Sequence, residues 1–127
     1  MIKDFEGWGK LKQELHARKE FPTFQARDIW WCSIGVNIGH EEDGKSRLFN
    51  RPVLVLRKFN KHMFLGVPLT TQIKDNPFYL KIKLHQKEQS VMLSQLRLYE
   101  SKRLTNQLGK LDWYQFNHVR EKVREMV

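Results

Sequence analysis

An arginine and a threonine stand at opposite ends of two apolar runs, and their side chains suit a phosphate. Arg51 opens the run at 52–56, and Thr70 closes the run at 63–69. A guanidinium grips two phosphate oxygens at once, and a hydroxyl donates a hydrogen bond to a third. The spacing therefore indicates either a phosphate site or only the polar ends that any hairpin has.

The two runs predict a β-hairpin that brings these residues together. Both runs are rich in Val and Leu, and the polar Asn60 and Lys61 between them favour a turn. In an antiparallel hairpin the start of one strand lies beside the end of the other. We therefore expect Arg51 and Thr70 at one rim of a sheet.

The composition predicts a single basic domain. A chain of 127 residues with 40% hydrophobic content can bury one modest core. Lys and Arg number 23 against 14 acidic residues, which gives a net charge of +9. Such a charge favours a polyanionic partner, namely nucleic acid, an acidic protein segment or an anionic membrane surface. Solubility alone would need less charge.

The cysteine and histidine content and the hydropathy of the chain exclude several classes of protein. A single cysteine, Cys32, excludes an internal disulfide and is predicted to be buried within its apolar run. The five histidines lack the spacing of metal ligands, so we expect no metal and no cofactor. No apolar run has the length of a membrane span, and the N-terminus lacks a signal-peptide core. A cytoplasmic protein without membrane contact is expected.

Hydrophobic periodicity predicts helices at both ends of the chain and strands between them. The first helix covers residues 4–20, and Asp112 is predicted to cap the last one. Strands are predicted at 27–36, 52–56, 63–69, 78–84, 90–98 and 109–111, with a short Ser-capped helix at 101–104. This order, without βαβ crossovers, favours a mainly β fold with flanking helices, a small, strongly bent SH3-like barrel.

Several motifs resemble those of the MazF/PemK family of toxin endoribonucleases. They are Arg-Pro at 51–52, Pro-Leu-Thr-Thr-Gln at 68–72, Ser-Val-Met-Leu-Ser-Gln-Leu-Arg at 90–97 and Lys-Arg-Leu at 102–104. With Gly-His-Glu at 39–41 they follow the family's order over about 27–111. The resemblance implies a barrel of the MazF and CcdB type over residues 27–127. Residues 1–22 then form a helical extension packed on the core or at an oligomer contact.

The resemblance also implies a reaction and a catalytic pair. Arg51 and Thr70 match the family's accepted pair, which cleaves RNA without metal to leave a 2′,3′-cyclic phosphate and a 5′-hydroxyl. The general base is less well defined by the sequence. Glu41 in the Gly-x-Glu segment is one candidate, and His40, which replaces the family's usual serine, is the other. A histidine pKa of about 6.5 suits proton transfer.

Two flanking segments supply candidate RNA contacts beside the pair. Thr71 continues the Thr-Thr-Gln motif, and Gln72 either supports the site or helps to read a base. The polar loop at 37–50 is longer than the family's usual one. Its Lys45 and Arg47 either contact RNA phosphates or lie on a solvated tip.

Three further basic residues are candidates with structural alternatives. Lys81 and Lys83 are predicted to share the wet face of one strand, where they either contact an RNA backbone or guard an exposed sheet edge. Arg97 matches a family arginine close to the dimer and substrate region. Its alternative is a salt bridge to Glu100 or Asp28.

The resemblance implies a homodimer that holds single-stranded RNA in a groove across the interface. It also implies a cognate antitoxin whose acidic, partly disordered tail covers that groove, which suits the basic surface. The alternative is a non-catalytic barrel that binds nucleic acid or a protein, as in the related gyrase-poisoning branch. Arg51 and Thr70 together favour the nuclease, because a protein-binding barrel has no use for that pair.

Overall fold

The computed structural model describes residues 21–33 and 50–127. The helix predicted at 4–20 and the site candidates His40, Glu41, Lys45 and Arg47 lie outside these ranges. The elements are β1 (Asp28–Ser33), β2 (Asn50–Lys58), β3 (Met63–Thr70), β4 (Tyr79–Leu84), β5 (Lys87–Met92), β6 (Arg97–Glu100), β7 (Leu104–Lys110) and α1 (Trp113–Met126). None of the helices in these ranges is long and apolar enough to cross a membrane.

The strands form one seven-stranded antiparallel sheet in the order β4-β5-β3-β2-β1-β7, and β6 pairs with β3. The prediction of a mainly β fold with a helix at its C-terminal end is confirmed. The sheet bends but does not close by strand pairing. Its two ends meet where Nε2 of His85, at the tip of the β4–β5 hairpin, lies 3.2 Å from the backbone oxygen of Leu108 in β7. The barrel therefore has an open seam at this contact.

The predicted hairpin is formed by β2 and β3, and Asn60 shapes its turn. The Asn60 side-chain oxygen accepts hydrogen bonds from the backbone N–H groups of His62 at 2.7 Å and Met63 at 3.0 Å. Asn favours turns because its side chain bonds to backbone groups a few residues ahead. The ladder runs from Lys58–Phe64 to Val53–Pro68, with an irregularity between Val55 and Arg57.

Two apolar clusters lie on the two faces of the bent sheet. One packs the sheet against α1 and includes Leu54, Leu69, Val91, Phe116 and Val119. The other contains Phe24, Trp30, Cys32, Val53, Val55, Phe64, Tyr99 and Leu104. Cys32 is fully buried, as predicted. Because successive residues of a strand point to opposite faces, each central strand contributes to both clusters.

The single strand predicted at 90–98 is wrong. The chain forms β5, a 3-10 turn over Leu93–Gln95, and then β6. Both strands pair with β3, but β5 pairs with its end at Leu69 and Thr70, whereas β6 pairs with its first half, Met63 to Gly66. The chain must therefore turn between the two strands. The sequence does not indicate this break, because buried apolar residues lie on both sides of the turn and resemble one continuous strand.

The predicted boundaries after β6 also need correction. Ser101 does not cap a helix; its hydroxyl donates to the backbone oxygen of Lys61 at 2.6 Å, and only a 3-10 turn over Ser101–Arg103 follows. The last strand is β7, which starts at Leu104 instead of Gly109. The length of β7 was underestimated because most of its side chains are polar and exposed, although its backbone pairs along β1. The predicted cap at Asp112 is confirmed, since its carboxylate accepts from the Gln115 N–H at 2.9 Å.

Candidate functional site at the rim of the β2–β3 hairpin

Arg51 and Thr70 lie at the same end of the β2–β3 hairpin. Val53 and Pro68 are directly paired; Arg51 precedes the first by two residues, and Thr70 follows the second by two. Side chains two residues apart on a strand share a face, so the register assigns Arg51 and Thr70 to one face of the sheet. Beyond Val53–Pro68 the ladder between the strands ends, and the rim is formed by their outer residues.

Thr70 belongs to a row of residues that crosses the sheet. It is paired with Ser90 on β5, and Ser90 is paired with Lys81 on β4. Directly paired residues have their side chains on the same face, about 4.5–5.5 Å apart at Cβ. Thr70 is half-buried, Ser90 is buried and Lys81 is exposed. A cation and a hydroxyl therefore flank the buried serine on the face that the register also gives to Arg51.

Lys81 and Lys83 share the exposed face of β4, as predicted, but their surroundings differ. The Lys81 ammonium lies 3.6 Å from a Glu88 carboxylate oxygen. Lys83 is paired with Glu88, two residues further along the hairpin from Ser90, and its backbone is hydrogen-bonded to Gln115 of α1. Lys81 is therefore the lysine of this strand that lies in line with Thr70.

The Thr70 hydroxyl is held by the backbone that follows it. Its Oγ1 accepts a hydrogen bond from the Gln72 N–H at 3.2 Å. The hydroxyl proton is then available to donate to another acceptor. Thr71 and Gln72 are exposed beyond the strand end. A phosphate oxygen placed over this rim is a suitable acceptor for the threonine.

Arg51 belongs to a group of arginines around the second apolar cluster. Burial raises the pKa of Tyr99 to about 12, and the positive charges of Arg97 and Arg51 act in the opposite direction. Arg97 stacks on the Tyr99 ring at 4.8 Å from its centroid. Arg103 donates to the Ser33 backbone oxygen at 3.3 Å. These contacts place the arginine group at the edge of one cluster, with all three guanidinium-bearing residues exposed.

The predicted alternative for Arg97, a salt bridge to Glu100 or Asp28, is not formed. Asp28 lies 2.9 Å from the Lys110 ammonium, and Glu100 lies 3.7 Å from the Arg103 guanidinium. Both carboxylates therefore have other partners. Arg97 stacks on an aromatic ring and keeps its guanidinium at the surface.

A cavity of about 300 Å³ opens beside Thr70. Its apolar walls are Trp31, Pro52, Leu69, Leu84 and Leu108, and its polar groups come from Thr70, Thr71, His85, Lys87 and Gln89. His85 and Gln89 were not among the predicted site residues, because 85–89 lies between the strands predicted at 78–84 and 90–98. The turn itself is shorter and consists of His85 and Gln86, both at positive φ, and β5 starts at Lys87.

Cys32 does not supply a reactive thiol to this region. Burial raises its pKa to about 11, although the charges of Arg103 and Arg97 oppose the shift. A thiol with so high a pKa stays protonated near neutral pH and is a poor nucleophile. Across the two described ranges, no three His, Cys, Asp or Glu side chains are grouped as metal ligands.

Solved structures of known proteins share this fold. MazF from Deinococcus radiodurans is 23% identical, with a TM-score of 0.66 over 83% of this chain and 96% of that one. The MazE-MazF complex from the same organism includes a chain that is 20% identical, with a TM-score of 0.64 over 83% of this chain and 95% of that chain. An endoribonuclease in complex with its cognate antitoxin, from a mycobacterial species, is 13% identical, with a TM-score of 0.62 over 81% and 93%.

The sequence itself identifies the family. A comparison with curated proteins finds no match. The model of the PemK-like, MazF-like toxins of type II toxin-antitoxin systems matches residues 25–127, which include the whole described sheet and α1. This range also contains both residues of the rim pair and the cavity beside it. The chain therefore belongs to the PemK/MazF-like toxin family of type II toxin-antitoxin systems.

Proposed function

We propose that this protein is an endoribonuclease toxin that cleaves single-stranded RNA without a metal ion. The observation that carries the proposal is the register of the β2–β3 hairpin, which assigns Arg51 and Thr70 to one face at one rim. Family membership supports the same reaction class. The row that continues through Ser90 to Lys81 adds a cation to that face.

RNA supplies its own nucleophile in this reaction. The 2′-oxygen bonds to the adjacent phosphorus, the bond from phosphorus to the 5′-oxygen breaks, and a cyclic phosphate and a 5′-hydroxyl result. One proton leaves the 2′-hydroxyl and one reaches the leaving 5′-oxygen, so no water is consumed. The protein must align the reacting atoms and stabilise charge on the phosphoryl oxygens.

Arg51 and Thr70 divide this work by their chemistry. The Arg51 guanidinium binds phosphoryl oxygens and stabilises their growing charge, because its positive charge and its planar set of N–H donors match two phosphate oxygens at once. It has donors but no acceptor, so it is not assigned the role of base. The Thr70 hydroxyl, held through the Gln72 N–H, donates to the phosphate or orients the 2′-hydroxyl. We assign removal of the 2′-proton to Glu41 or His40, which lie outside the described residues.

The RNA backbone runs across the rim and over the exposed face of β4. Thr71 and Gln72 lie at the strand end, where they contact the nucleotides next to the cleaved bond. Lys81 binds the following phosphate and Lys83 a more distant one, because the two lysines follow each other along the strand. Arg97, which like Arg51 lies near Tyr99, contacts RNA at the same edge, and Lys45 and Arg47 of the long loop complete the basic surface.

The proposed partners follow from charge and from the relatives. The relatives include MazE-MazF complexes and an endoribonuclease with its cognate antitoxin. We assign this protein an antitoxin with an acidic tail that competes with RNA for the basic rim, and a homodimeric, cytoplasmic form. A net charge of +9 favours an acidic competitor.

The test is incubation of the purified protein with mixed single-stranded RNA in EDTA. Discrete fragments that carry 2′,3′-cyclic phosphate and 5′-hydroxyl ends are expected. The Arg51→Ala variant, purified in parallel, controls for contaminating nucleases. Intact RNA together with inhibition of gyrase would replace the proposal with a gyrase-poisoning role.

A further inference from the structure

We infer that the cavity beside Thr70 receives one unpaired base of the RNA, and that Gln89 reads the hydrogen-bonding edge of that base. The inference rests on the proposed function and assigns its substrate selectivity to a specific site. Three features support it: the size and lining of the cavity, the burial of Gln89 and the position of Thr70.

The size and walls of the cavity suit a flat aromatic ligand. Its volume of about 300 Å³ lies at the lower end of the range of ligand sites in proteins. Trp31 and Leu84 are part of walls that are mainly apolar, while a few polar groups converge from β5 and from the β4–β5 turn. Unpaired bases are recognised in this way, with aromatic or apolar contacts to the ring and hydrogen bonds to its edge.

Gln89 is the polar residue best placed to read a base. The residue is only 7% exposed, and it lines the cavity. Its side-chain amide has no hydrogen-bond partner among the described residues, and the fully enclosed unpartnered side-chain atoms found there belong to Asp28 and Ser90 instead. A glutamine amide presents a donor and an acceptor side by side, which matches the adjacent acceptor and donor groups on the edge of a base.

His85 forms a second, fixed polar wall. The Leu108 backbone oxygen accepts a hydrogen bond from its Nε2 at 3.2 Å, which leaves Nδ1 as the ring nitrogen without this contact. Gly109 allows this close approach, because a Cβ at that position would lie 2.9 Å from Nε2. The ring is therefore held at the seam of the sheet, where it forms one wall of the cavity.

The cavity and the catalytic rim share Thr70, so a base can enter while its own phosphate stays outside. Gln89 and Ser90 are neighbours on β5 and point to opposite faces of the strand. Ser90 lies in the row of Thr70 and Lys81, and Gln89 lies in the cavity. Thr71 is exposed and lines the entrance. A nucleotide over this strand end places its phosphate on one side and its base on the other.

The experiment selects binders from a random pool of short 2′-deoxy oligonucleotides on the immobilised full-length protein. The pool lacks the attacking 2′-hydroxyl, so selection does not depend on cleavage. We expect enrichment of one base at one position by roughly tenfold, as for a bidentate amide contact. Gln89→Leu should abolish this enrichment. Gln107→Leu is the matched control, because Gln107 is exposed on β7 and does not line the cavity.

Gln89→Glu provides a second variant that keeps the size of the side chain. A carboxylate only accepts hydrogen bonds, so the enriched base should change to one that presents two donors side by side instead of a donor and an acceptor. Circular dichroism verifies that each variant is folded. A wild-type pool without enrichment, or a folded Gln89→Leu protein with the wild-type preference, would overturn the inference. Absence of RNA cleavage in EDTA would overturn the proposed nuclease but not a base preference that depends on Gln89.

Discussion

The side-chain amide of Gln115 forms both hydrogen bonds that the backbone of Lys83 would otherwise offer to a neighbouring strand. It accepts from the Lys83 N–H at 2.8 Å and donates to the Lys83 backbone oxygen at 2.9 Å. β4 is the last strand in the sheet order, so its outer edge has no strand beside it. Open edges invite pairing with other chains. The helix therefore protects this edge at Lys83, because Gln115 forms the two hydrogen bonds that a neighbouring strand would form there.

Replacing this amide should destabilise the protein modestly. We expect Gln115→Ala to lower the free energy of unfolding by about 1 kcal/mol, because water can replace the lost partner at the exposed Lys83. Urea denaturation measures the change. Asn117→Ala on the same helix is the control, since Asn117 is exposed and accepts a long hydrogen bond of 3.5 Å from Arg120. Equal effects of the two substitutions would show that the amide does not stabilise the edge.

The cap of α1 should make stability depend on acidic pH. The backbone N–H of Gln115, followed by its side chain, lowers the pKa of Asp112 below its ordinary value of 3.8. The unfolded chain therefore takes up this proton at a higher pH than the folded protein. The stabilisation is complete above the unfolded pKa and is lost as the pH falls through the folded pKa.

Melting temperatures measured from neutral pH down to about pH 3 provide the test. Asp112→Asn keeps a good helix cap but does not titrate, so its melting temperature should fall less steeply below pH 4 or so than that of the wild type. Glu121, on the same helix, has no such cap to lose, and Glu121→Gln serves as the control. Parallel curves for wild type and Asp112→Asn would contradict the role of this carboxylate.

Two buried serines should respond in opposite ways to the same substitution. The Ser90 hydroxyl is buried and has no hydrogen-bond partner among the described residues, while Ser101 donates to the Lys61 backbone oxygen at 2.6 Å. An unsatisfied buried group costs about 1–3 kcal/mol. Ser90→Ala should therefore leave the free energy of unfolding unchanged or raise it. Ser101→Ala should lower it by about 1 kcal/mol or more.

Denaturation of the two alanine variants under one set of conditions compares these effects directly. A large loss of stability in Ser90→Ala would mean that its hydroxyl has a partner in the folded protein. An RNA cleavage assay on the same variant separates stability from function. If the hydroxyl supports Thr70, which is its direct partner across the ladder, activity should fall while stability does not.

The sequence predicted the residues that a single hairpin places, and it missed those that depend on distant strands. Predicting that Arg51 and Thr70 lie close together required only two adjacent strands and one turn. Predicting that Gln89 lines the cavity would have required the end of the β4–β5 turn, the bend of the sheet and the seam at Leu108. None of these features produces a local pattern in the sequence. The break between β5 and β6 was missed for the same reason, since two strands share one edge of β3.

Substitutions of the rim pair should separate charge from geometry in RNA cleavage. We expect Arg51→Ala to lower kcat/KM by about 10²–10³, the usual loss when one donor to a developing oxyanion is removed. Arg51→Lys should recover only part of this loss, because an ammonium does not bind two phosphate oxygens in one plane. Arg57→Ala is the matched control on the same strand, since its exposed guanidinium lies over Phe59.

The contribution of Thr70 to RNA cleavage should depend on its hydroxyl group and not on the shape of its side chain. Thr70→Val keeps the volume and the β-branch but loses both the proton that the hydroxyl donates and the acceptor for the Gln72 N–H. We expect its kcat to fall by about 10² or more, with fold and melting temperature little changed. Thr70→Ser restores the hydroxyl and should recover most of the activity. Single-turnover cleavage of one labelled RNA compares the three proteins, and a Thr70→Val enzyme as fast as wild type would remove this hydroxyl from the mechanism.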